Sequence, residues 1–255
     1  MSAPTVAGLS RRPSRAFKTL AILLIALGSL ALADAAVTLL WQEPFSALYA
    51  KLEQDHLRGA LHKLERSAPS PAERRTLASL PDERRRIEFL ARELQRRSGE
   101  GSPVGRIVIP RIGASYVIVH GTGASALESG PGIYSETGFP GIPGTTAIAG
   151  HRTTYLAPFR HIDSLHRGNH VLLYMPYAQF TYTVIGQKVV APTDVRAAVD
   201  DVGYSRLVLS ACTPLFSAAK RLLVYARLTR TVPVGAARRV PGGGAVRPII
   251  ASRAA

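Results

Sequence analysis

The chain has 255 residues and a formal net charge of +15, with 46% hydrophobic residues. This length predicts one domain of about 130 to 150 residues with appendages. An excess of positive charge is typical of proteins that bind nucleic acid. Here much of the excess lies in two terminal stretches without interleaved aromatic residues, and no DNA or RNA recognition motif is present. Attraction to an anionic membrane or cell wall explains the charge more simply.

An apolar run at residues 19–41 follows a basic N-terminus at residues 1–18. Its one ionisable residue is Asp34, and at about 1.5 Å per residue it can cross a hydrocarbon core of about 30 Å. Basic residues precede the run and Glu43 follows it, which predicts a single-pass membrane anchor with a cytoplasmic N-terminus and the rest of the chain outside. Sequences that resemble signal-peptidase sites at residues 31–35 leave a cleaved signal peptide as the alternative. Both interpretations export the domain.

Residues 42–100 form a charged, mixed segment that prolines divide into short pieces. Apolar residues recur there at helical spacing among arginines: Ile87, Leu90, Ala91 and Leu94. We expect an extracytoplasmic helical stalk that is solvated and has a narrow apolar stripe. The alternative is a regulatory element that packs on the domain that follows.

From residue 101 the sequence changes to short β-branched and aromatic runs that glycine and proline separate. These runs are residues 106–109, 116–119, 171–174, 180–190, 207–211 and 222–228. Many short strands with little long-helix pattern predict an all-β fold, as a closed or nearly closed barrel. Residues 231–255 contain proline, a triple glycine and arginines, which predicts a disordered basic tail.

Cys212 is the only cysteine, so the chain cannot form an internal disulfide. In an exported domain a lone thiol is either a small buried hydrophobe or a functional group. Cys212 follows the apolar run 207–211, and Pro214 ends the strand, which places the thiol at the rim of the barrel. If the next strand pairs with this one as a hairpin, Arg221 lies near Cys212. Its guanidinium could then donate hydrogen bonds to a developing oxyanion.

A cysteine nucleophile needs a proton partner, and the chain has seven histidines. His56 and His62 fall in the charged segment, where we expect them to be solvated. Four others lie near strand ends or in polar surroundings, where an ordinary surface histidine is expected: His120, His161, His166 and His170. His151 follows a small-residue strand whose last residue, Gly150, leaves room for another group to approach. Periodicity alone does not single out His151.

Three motifs resemble those of the sortase family. Residues 146–152 (TAIAGHR) resemble its histidine motif, and residues 207–214 (LVLSACTP) resemble its cysteine motif. Residues 220–224 (KRLLV) resemble the strand that carries its arginine. The similarity covers roughly residues 101–230, and the sequences GHRTTY and CTP are most similar to class E sortases of actinobacteria. The two residues before the cysteine are Ser-Ala, where the family usually has threonines, and this difference bears on substrate preference.

The resemblance implies an eight-stranded β-barrel at residues 101–230 that acts as a cysteine transpeptidase. Cys212 would be the nucleophile, His151 the general acid and base, and Arg221 the cation that stabilises the oxyanion. The enzyme would cleave an LPxTG- or LAxTG-like sorting motif of an exported protein between threonine and glycine, through a thioacyl intermediate. A peptidoglycan-precursor amine would then accept the acyl group. No cofactor is expected.

The acidic residues of the domain form a modest patch, which we expect to be solvated and to hold no metal: Asp194, Asp200 and Asp201.

Two other classes of protein remain open. An L,D-transpeptidase also has an exported cysteine and histidine, and residues 120–122 (HGT) resemble part of its pattern. That family places His-Gly directly before its cysteine and an arginine two residues after it, and the sequence around Cys212 has neither. The non-enzyme alternative is a membrane-anchored wall-binding or adhesin module whose cysteine is buried and inert. Such a cysteine would resist alkylation until the domain unfolds.

Overall fold

The computed structural model describes residues 15–40 and 44–238. The chain divides into two compact units, with the boundary between Pro44 and Phe45. In the first unit, the helix α1 (Arg15–Leu40) contains a segment, Arg15–Ala36, that is long and apolar enough to cross a membrane by length and composition. This confirms the expected apolar helix, although residue 41 lies outside the described residues. Its orientation and the question of cleavage stay predictions.

The second unit contains a closed barrel of eight strands within the described residues. In chain order the strands are β1 (Pro103–Ile109), β2 (Ala114–His120), β3 (Gly132–Ile133), β4 (Thr145–Ala149), β5 (His170–Met175), β6 (Ala178–Val190), β7 (Arg206–Thr213) and β8 (Lys220–Pro233). Around the barrel their order is β1-β2-β3-β4-β7-β8-β6-β5. The pairs β2–β3 and β4–β7 are parallel and the other pairs are antiparallel. The prediction of an all-β, eight-stranded barrel is therefore confirmed.

The burial of the strands depends on what covers the outside of the barrel. Along β5, buried residues alternate with more exposed ones, as expected for a strand with one face in the core. The strand β4 is buried along its whole length. Its Ala147 packs with Val208 of β7 and with Ala198 of α6 (Arg196–Val199) in a second apolar cluster outside the barrel. The wall that carries the functional motifs is thus covered on both faces.

Three helices precede the barrel in the second unit: α2 (Pro44–Arg66), α3 (Pro71–Ser79) and α4 (Glu83–Arg97). Leu57 and Leu61 of α2 are buried in a cluster with Val117 of β2. The buried Gln54 side chain donates to the carbonyls of Val117 and Ser129, at 3.1 and 2.8 Å, and accepts from the Val117 amide at 2.7 Å. Burying an amide is unfavourable unless it is hydrogen-bonded, and Gln54 meets this requirement through the barrel backbone.

The helix α4 carries the apolar stripe that the sequence indicates. Ile87, Ala91 and Leu94 are buried in the main core cluster of the barrel. The Arg86 guanidinium donates to the carbonyls of Leu77 and Ala236, at 3.0 and 2.8 Å. The interpretation of residues 42–100 as a solvated stalk is therefore wrong for α2 and α4, which pack on the barrel, and a regulatory role of this segment stays a prediction. A stripe flanked by arginines looks solvated in sequence, yet the arginines can reach carbonyls while the stripe is buried.

The end of the barrel domain also differs from the expectation. The strand β8 continues to Pro233, and Ala237 in the 3-10 turn Gly235–Ala237 is fully buried. The amide of Val234 donates to the carbonyl of Tyr177 at 2.9 Å. The prediction of a disordered tail at 231–255 is wrong up to residue 238, because the pairing of β6 with β8 continues past the last apolar run. Residues 239–255 lie outside the described residues.

Replacement of Leu94 by alanine tests whether α4 belongs to the folded domain. Leu94 is 2% exposed, so Leu94→Ala is expected to lower the free energy of unfolding by about 2–5 kcal/mol through lost burial and a residual cavity. Leu52 of α2, which is 63% exposed, is the matched control. Leu52→Ala should change the free energy of unfolding by no more than about 0.5 kcal/mol. Chemical denaturation measures both. Equal small losses would contradict the packing of α4.

Candidate active site

Cys212 and Arg221 are direct partners in the antiparallel ladder between β7 and β8. Opposite residues of an antiparallel pair project to the same face of the sheet, so the thiol and the guanidinium share one face. Both side chains are partly exposed, and the thiol forms no disulfide. The Arg221 Nη1 donates to the carbonyls of Ala218 and Lys220, at 3.0 and 3.2 Å. The hairpin expected from the sequence is therefore confirmed, with Arg221 held by the connection that precedes β8.

His151 reaches the same edge of the barrel from the other side of β7. The strand β4 runs parallel to β7, and their last paired residues are Ala149 and Ser210. The amide of Gly150 then donates to the Ser210 carbonyl at 3.1 Å, which continues the parallel contact. His151 and Cys212 each lie two residues beyond this last pair. The structure thus brings all three predicted site residues to neighbouring strands or strand ends at one edge of the barrel, with Cys212 on the middle strand.

The glycine before His151 is required by a close approach, as the sequence predicted. A Cβ atom at Gly150 would lie 2.6 Å from the ring of Phe159. Phe159 is fully buried, and its amide donates to the His151 carbonyl at 2.9 Å. The ring therefore packs on the bare backbone of Gly150, and this contact holds the start of the histidine loop against the core.

Arg152, the next residue, links the histidine loop to the cysteine strand. It is 4% exposed, and its Nε and Nη2 donate to the Arg160 carbonyl at 3.2 and 3.1 Å. Its Nη1 donates to Thr213 Oγ1 at 3.3 Å and to the Cys212 carbonyl at 3.5 Å. Nη2 also lies 2.8 Å from Asp163 Oδ2. A buried guanidinium needs partners of this kind, and here they include the backbone of the proposed nucleophile.

Two further side chains surround His151, and the sequence reasoning missed both roles. The Tyr155 ring lies 5.2 Å from the imidazole, centroid to centroid. The Tyr155 hydroxyl donates to Glu128 Oε1 at 3.1 Å, from the helix α5 (Ala124–Ser129). Burial lowers the pKa of His151, and the negative charge of Glu128 partly offsets this effect. Tyr155 belongs to the GHRTTY run, so a signal existed for it, whereas no pattern links Glu128 to a histidine so far along the chain.

The other predicted features lie apart from this edge. The Nδ1 of His120 is 2.8 Å from the Ser98 carbonyl, and the His120 ring packs edge-on against Phe139. In the described parts of the chain, no group of three or more His, Cys, Asp or Glu residues could hold a metal ion. The acidic patch forms local bonds instead: Asp194 accepts from the Ala197 amide, Asp200 is paired with Arg196, and Asp201 accepts from the Gly203 amide.

Comparison with known proteins supports the resemblance seen in the motifs. Residues 107–229 match the family model of the sortase domain. Sortase D of Bacillus subtilis (strain 168) is 32% identical over 130 residues, which cover 50% of this chain and 64% of that protein. Sortases A of Streptococcus agalactiae and Bacillus anthracis are 29% and 30% identical. The chain spans between 53% and 64% of the length of these curated relatives.

Two solved structures extend the comparison. Sortase E from Streptomyces avermitilis is 33% identical, over 55% of this chain and 99% of that chain, with a TM-score of 0.49. The SrtF sortase from Corynebacterium diphtheriae is 24% identical, over 57% of this chain and 93% of that chain, with a TM-score of 0.51, and this likeness concerns the fold alone. The family model and the identity to sortase D agree. The chain contains a sortase domain at residues 107–229.

Proposed function

We propose that this chain is a membrane-anchored cysteine transpeptidase that cleaves a sorting motif in exported proteins and transfers them to a cell-wall amine. The observation that carries the proposal is the pairing of Cys212 with Arg221 beside the end of the strand that leads to His151. A nucleophile, a proton partner and a permanent cation then stand on three neighbouring strands or strand ends. This is the set of groups that acyl transfer through a thioester needs.

In the first half of the reaction, Cys212 attacks the threonine carbonyl of an LPxTG- or LAxTG-like motif. His151 takes the thiol proton, and the new carbon–sulfur bond places negative charge on the carbonyl oxygen. Arg221 stabilises that charge, because its guanidinium lies on the same face as the sulfur. The intermediate collapses when the threonine–glycine bond breaks, and His151 returns its proton to the glycine amine.

In the second half, a peptidoglycan-precursor amine attacks the thioester. His151 accepts a proton from the amine and passes it to the Cys212 sulfur as the carbon–sulfur bond breaks, and the transferred protein leaves on its new amide bond. Water in place of the amine would give hydrolysis, so transfer requires that the amine reach the thioester first. The partly exposed thiol at the rim of the barrel leaves a path for a large acceptor.

The helix α1 supports a location at the cell membrane, with the barrel outside the cell. The apolar segment is preceded by the basic N-terminal residues, and this asymmetry favours a cytoplasmic N-terminus. Both reaction partners of such an enzyme would be met at the outer surface of the membrane.

The function is tested with the full chain in detergent micelles, LAxTG and LPxTG peptides, and an amine acceptor such as a glycine oligomer. We expect mass spectrometry to show cleavage between threonine and glycine and a new amide with the acceptor. His151→Ala should lower the rate of product formation by about 10²–10⁴-fold, because general acid–base catalysis is lost. A folded chain that cleaves neither peptide and whose thiol resists alkylation would instead support a wall-binding module with an inert cysteine.

A further inference from the structure

A carboxylate lies behind the proposed catalytic histidine. Glu128 is in the last turn of α5, upstream of β3, and accepts the Tyr155 hydroxyl at 3.1 Å. The same Tyr155 lies against the His151 ring, with a centroid separation of 5.2 Å and an interplanar angle of 39°. All three side chains are partly buried. One tyrosine therefore joins the carboxylate to the imidazole.

The turn that carries Tyr155 is built to hold it in this place. Tyr155, Leu156 and Ala157 have φ angles of 49°, 61° and 41°, which are left-handed conformations that non-glycine residues rarely adopt. Such strain persists only where the surrounding structure enforces it, and it is concentrated at functional sites. The Leu156 carbonyl accepts the Tyr116 hydroxyl at 3.2 Å.

The helix α2 supports the tyrosine from outside. The Tyr155 amide donates to Ser46 Oγ at 3.4 Å, and the Tyr49 ring contacts the Tyr155 ring edge-on at 6.5 Å. Tyr155 is thus contacted by α2, by α5 and by the histidine loop. Its ring cannot turn away from His151 without losing the contact with the Tyr49 ring and the hydrogen bond to Glu128. The position of the imidazole and that of the carboxylate are therefore coupled through one rigid aromatic side chain.

The negative charge of Glu128 opposes the effect of burial on the pKa of His151. Burial disfavours the imidazolium form and lowers the pKa of His151, whereas Glu128 raises it. Further titratable or charged side chains at this edge include Arg152 and Tyr155 from the same loop, Tyr49 from α2, Cys212 from β7, and Lys220 and Arg221 from β8. Arg152 directs its guanidinium to the Arg160 carbonyl and to Asp163. The carboxylate of Glu128 is therefore suited to balance a positive charge on His151.

We propose that Glu128, held by Tyr155, is a positioning residue that stabilises the imidazolium form of His151 during acyl transfer. The step concerned moves one proton from the Cys212 sulfur to the imidazole, which leaves a thiolate and an imidazolium. No other bond changes in that step. The inference rests on the proposed function for its catalytic meaning. The electrostatic coupling of Glu128 to His151 can be measured without any substrate.

The test is an NMR titration of the full chain in detergent micelles with ring-labelled histidine. The signal of His151 is identified by its absence in His151→Gln. Glu128→Gln keeps the size of the side chain and removes its charge, so the pKa of His151 is expected to fall below its value in the unsubstituted chain. Tyr155→Phe keeps the ring and removes the hydroxyl that holds the carboxylate, and we expect a smaller fall in the same direction.

Glu136→Gln is the matched control, because Glu136 is exposed and does not act on His151. It should leave the titration unchanged. In the transfer assay, Glu128→Gln should lower kcat/KM at neutral pH by about tenfold, comparable to the loss of a carboxylate behind a ligand histidine. An unchanged pKa of His151 in a folded Glu128→Gln variant would overturn the proposal. A lowered pKa supports it even if no peptide is cleaved, and a lack of cleavage by the unsubstituted chain would count against the proposed function alone.

Discussion

Replacement of Cys212 by alanine is expected to abolish the transfer reaction completely. The chain has no other cysteine, so no second thiol can form the thioacyl intermediate. Cys212→Ser should be nearly as inactive, because a hydroxyl is a far weaker nucleophile than a thiolate at neutral pH. The partial exposure of Cys212 agrees with a thiol that substrate can reach. Removal of the sulfur should not disturb the fold, since Cys212 lies at the end of β7 and not in the core clusters.

The measurement is intact mass spectrometry after incubation with the sorting peptide and no amine. The unsubstituted chain should gain the mass of the acyl fragment, and Cys212→Ala should gain nothing. Alkylation by iodoacetamide should label the folded chain once and leave Cys212→Ala unlabelled, and equal melting temperatures would show that both are folded. Continued peptide cleavage by Cys212→Ala would refute the assignment of the nucleophile.

Replacement of Arg221 by alanine is expected to give the second largest loss. The residue is paired directly with Cys212, so its guanidinium is placed to meet charge that develops beside the sulfur. Loss of one donor to an oxyanion typically lowers kcat by about 10²–10³-fold. Arg221→Lys keeps the positive charge and loses the planar set of donors, and it should recover only part of the rate. Since the interaction strengthens in the transition state, the effect should be on kcat more than on KM.

Arg227 provides the control for this prediction within the same strand. It is exposed, and it pairs with Arg206 at the other end of the β7–β8 ladder. Its guanidinium lies 4.2 Å from the centre of the Tyr204 ring. Arg227→Ala removes the same charge from the strand, yet it should leave kcat almost unchanged. Steady-state kinetics on both variants decides the matter, and similar losses for the two would show that Arg221 acts only through the net charge of the strand.

The two ends of the barrel domain show why local pattern misjudges packing. The stripe on α4 is narrow and flanked by Arg84, Arg85 and Arg86, which favours solvent exposure on local grounds. In the fold, the Arg86 guanidinium reaches the Leu77 carbonyl on the preceding helix. Likewise, β8 runs on to Pro233 because β6 is long enough to pair with it. The Leu77 carbonyl lies outside α4, and β6 lies outside the tail segment, so the local sequence of α4 or of the tail does not reveal either partner.

The sequence by itself determined the class of fold and the end of the strand near Cys212, and it indicated that Arg221 lies beside Cys212 if the next strand pairs as a hairpin. These features depend on β-branched and aromatic runs, on Pro214 and on a short connection, all of which are local. It also indicated His151, through Gly150 and the motif that contains them.

Only the tertiary structure decided the parallel contact of β4 with β7, and with it the approach of His151 to Cys212 from the opposite side. It also decided the packing of α2 and α4 on the barrel and the link from Glu128 through Tyr155 to His151. The parallel pairing of β4 with β7 and the packing of helices on the barrel bring together segments that are far apart in the chain. Their pairing is selected by the burial of whole surfaces, which no local pattern of residues encodes.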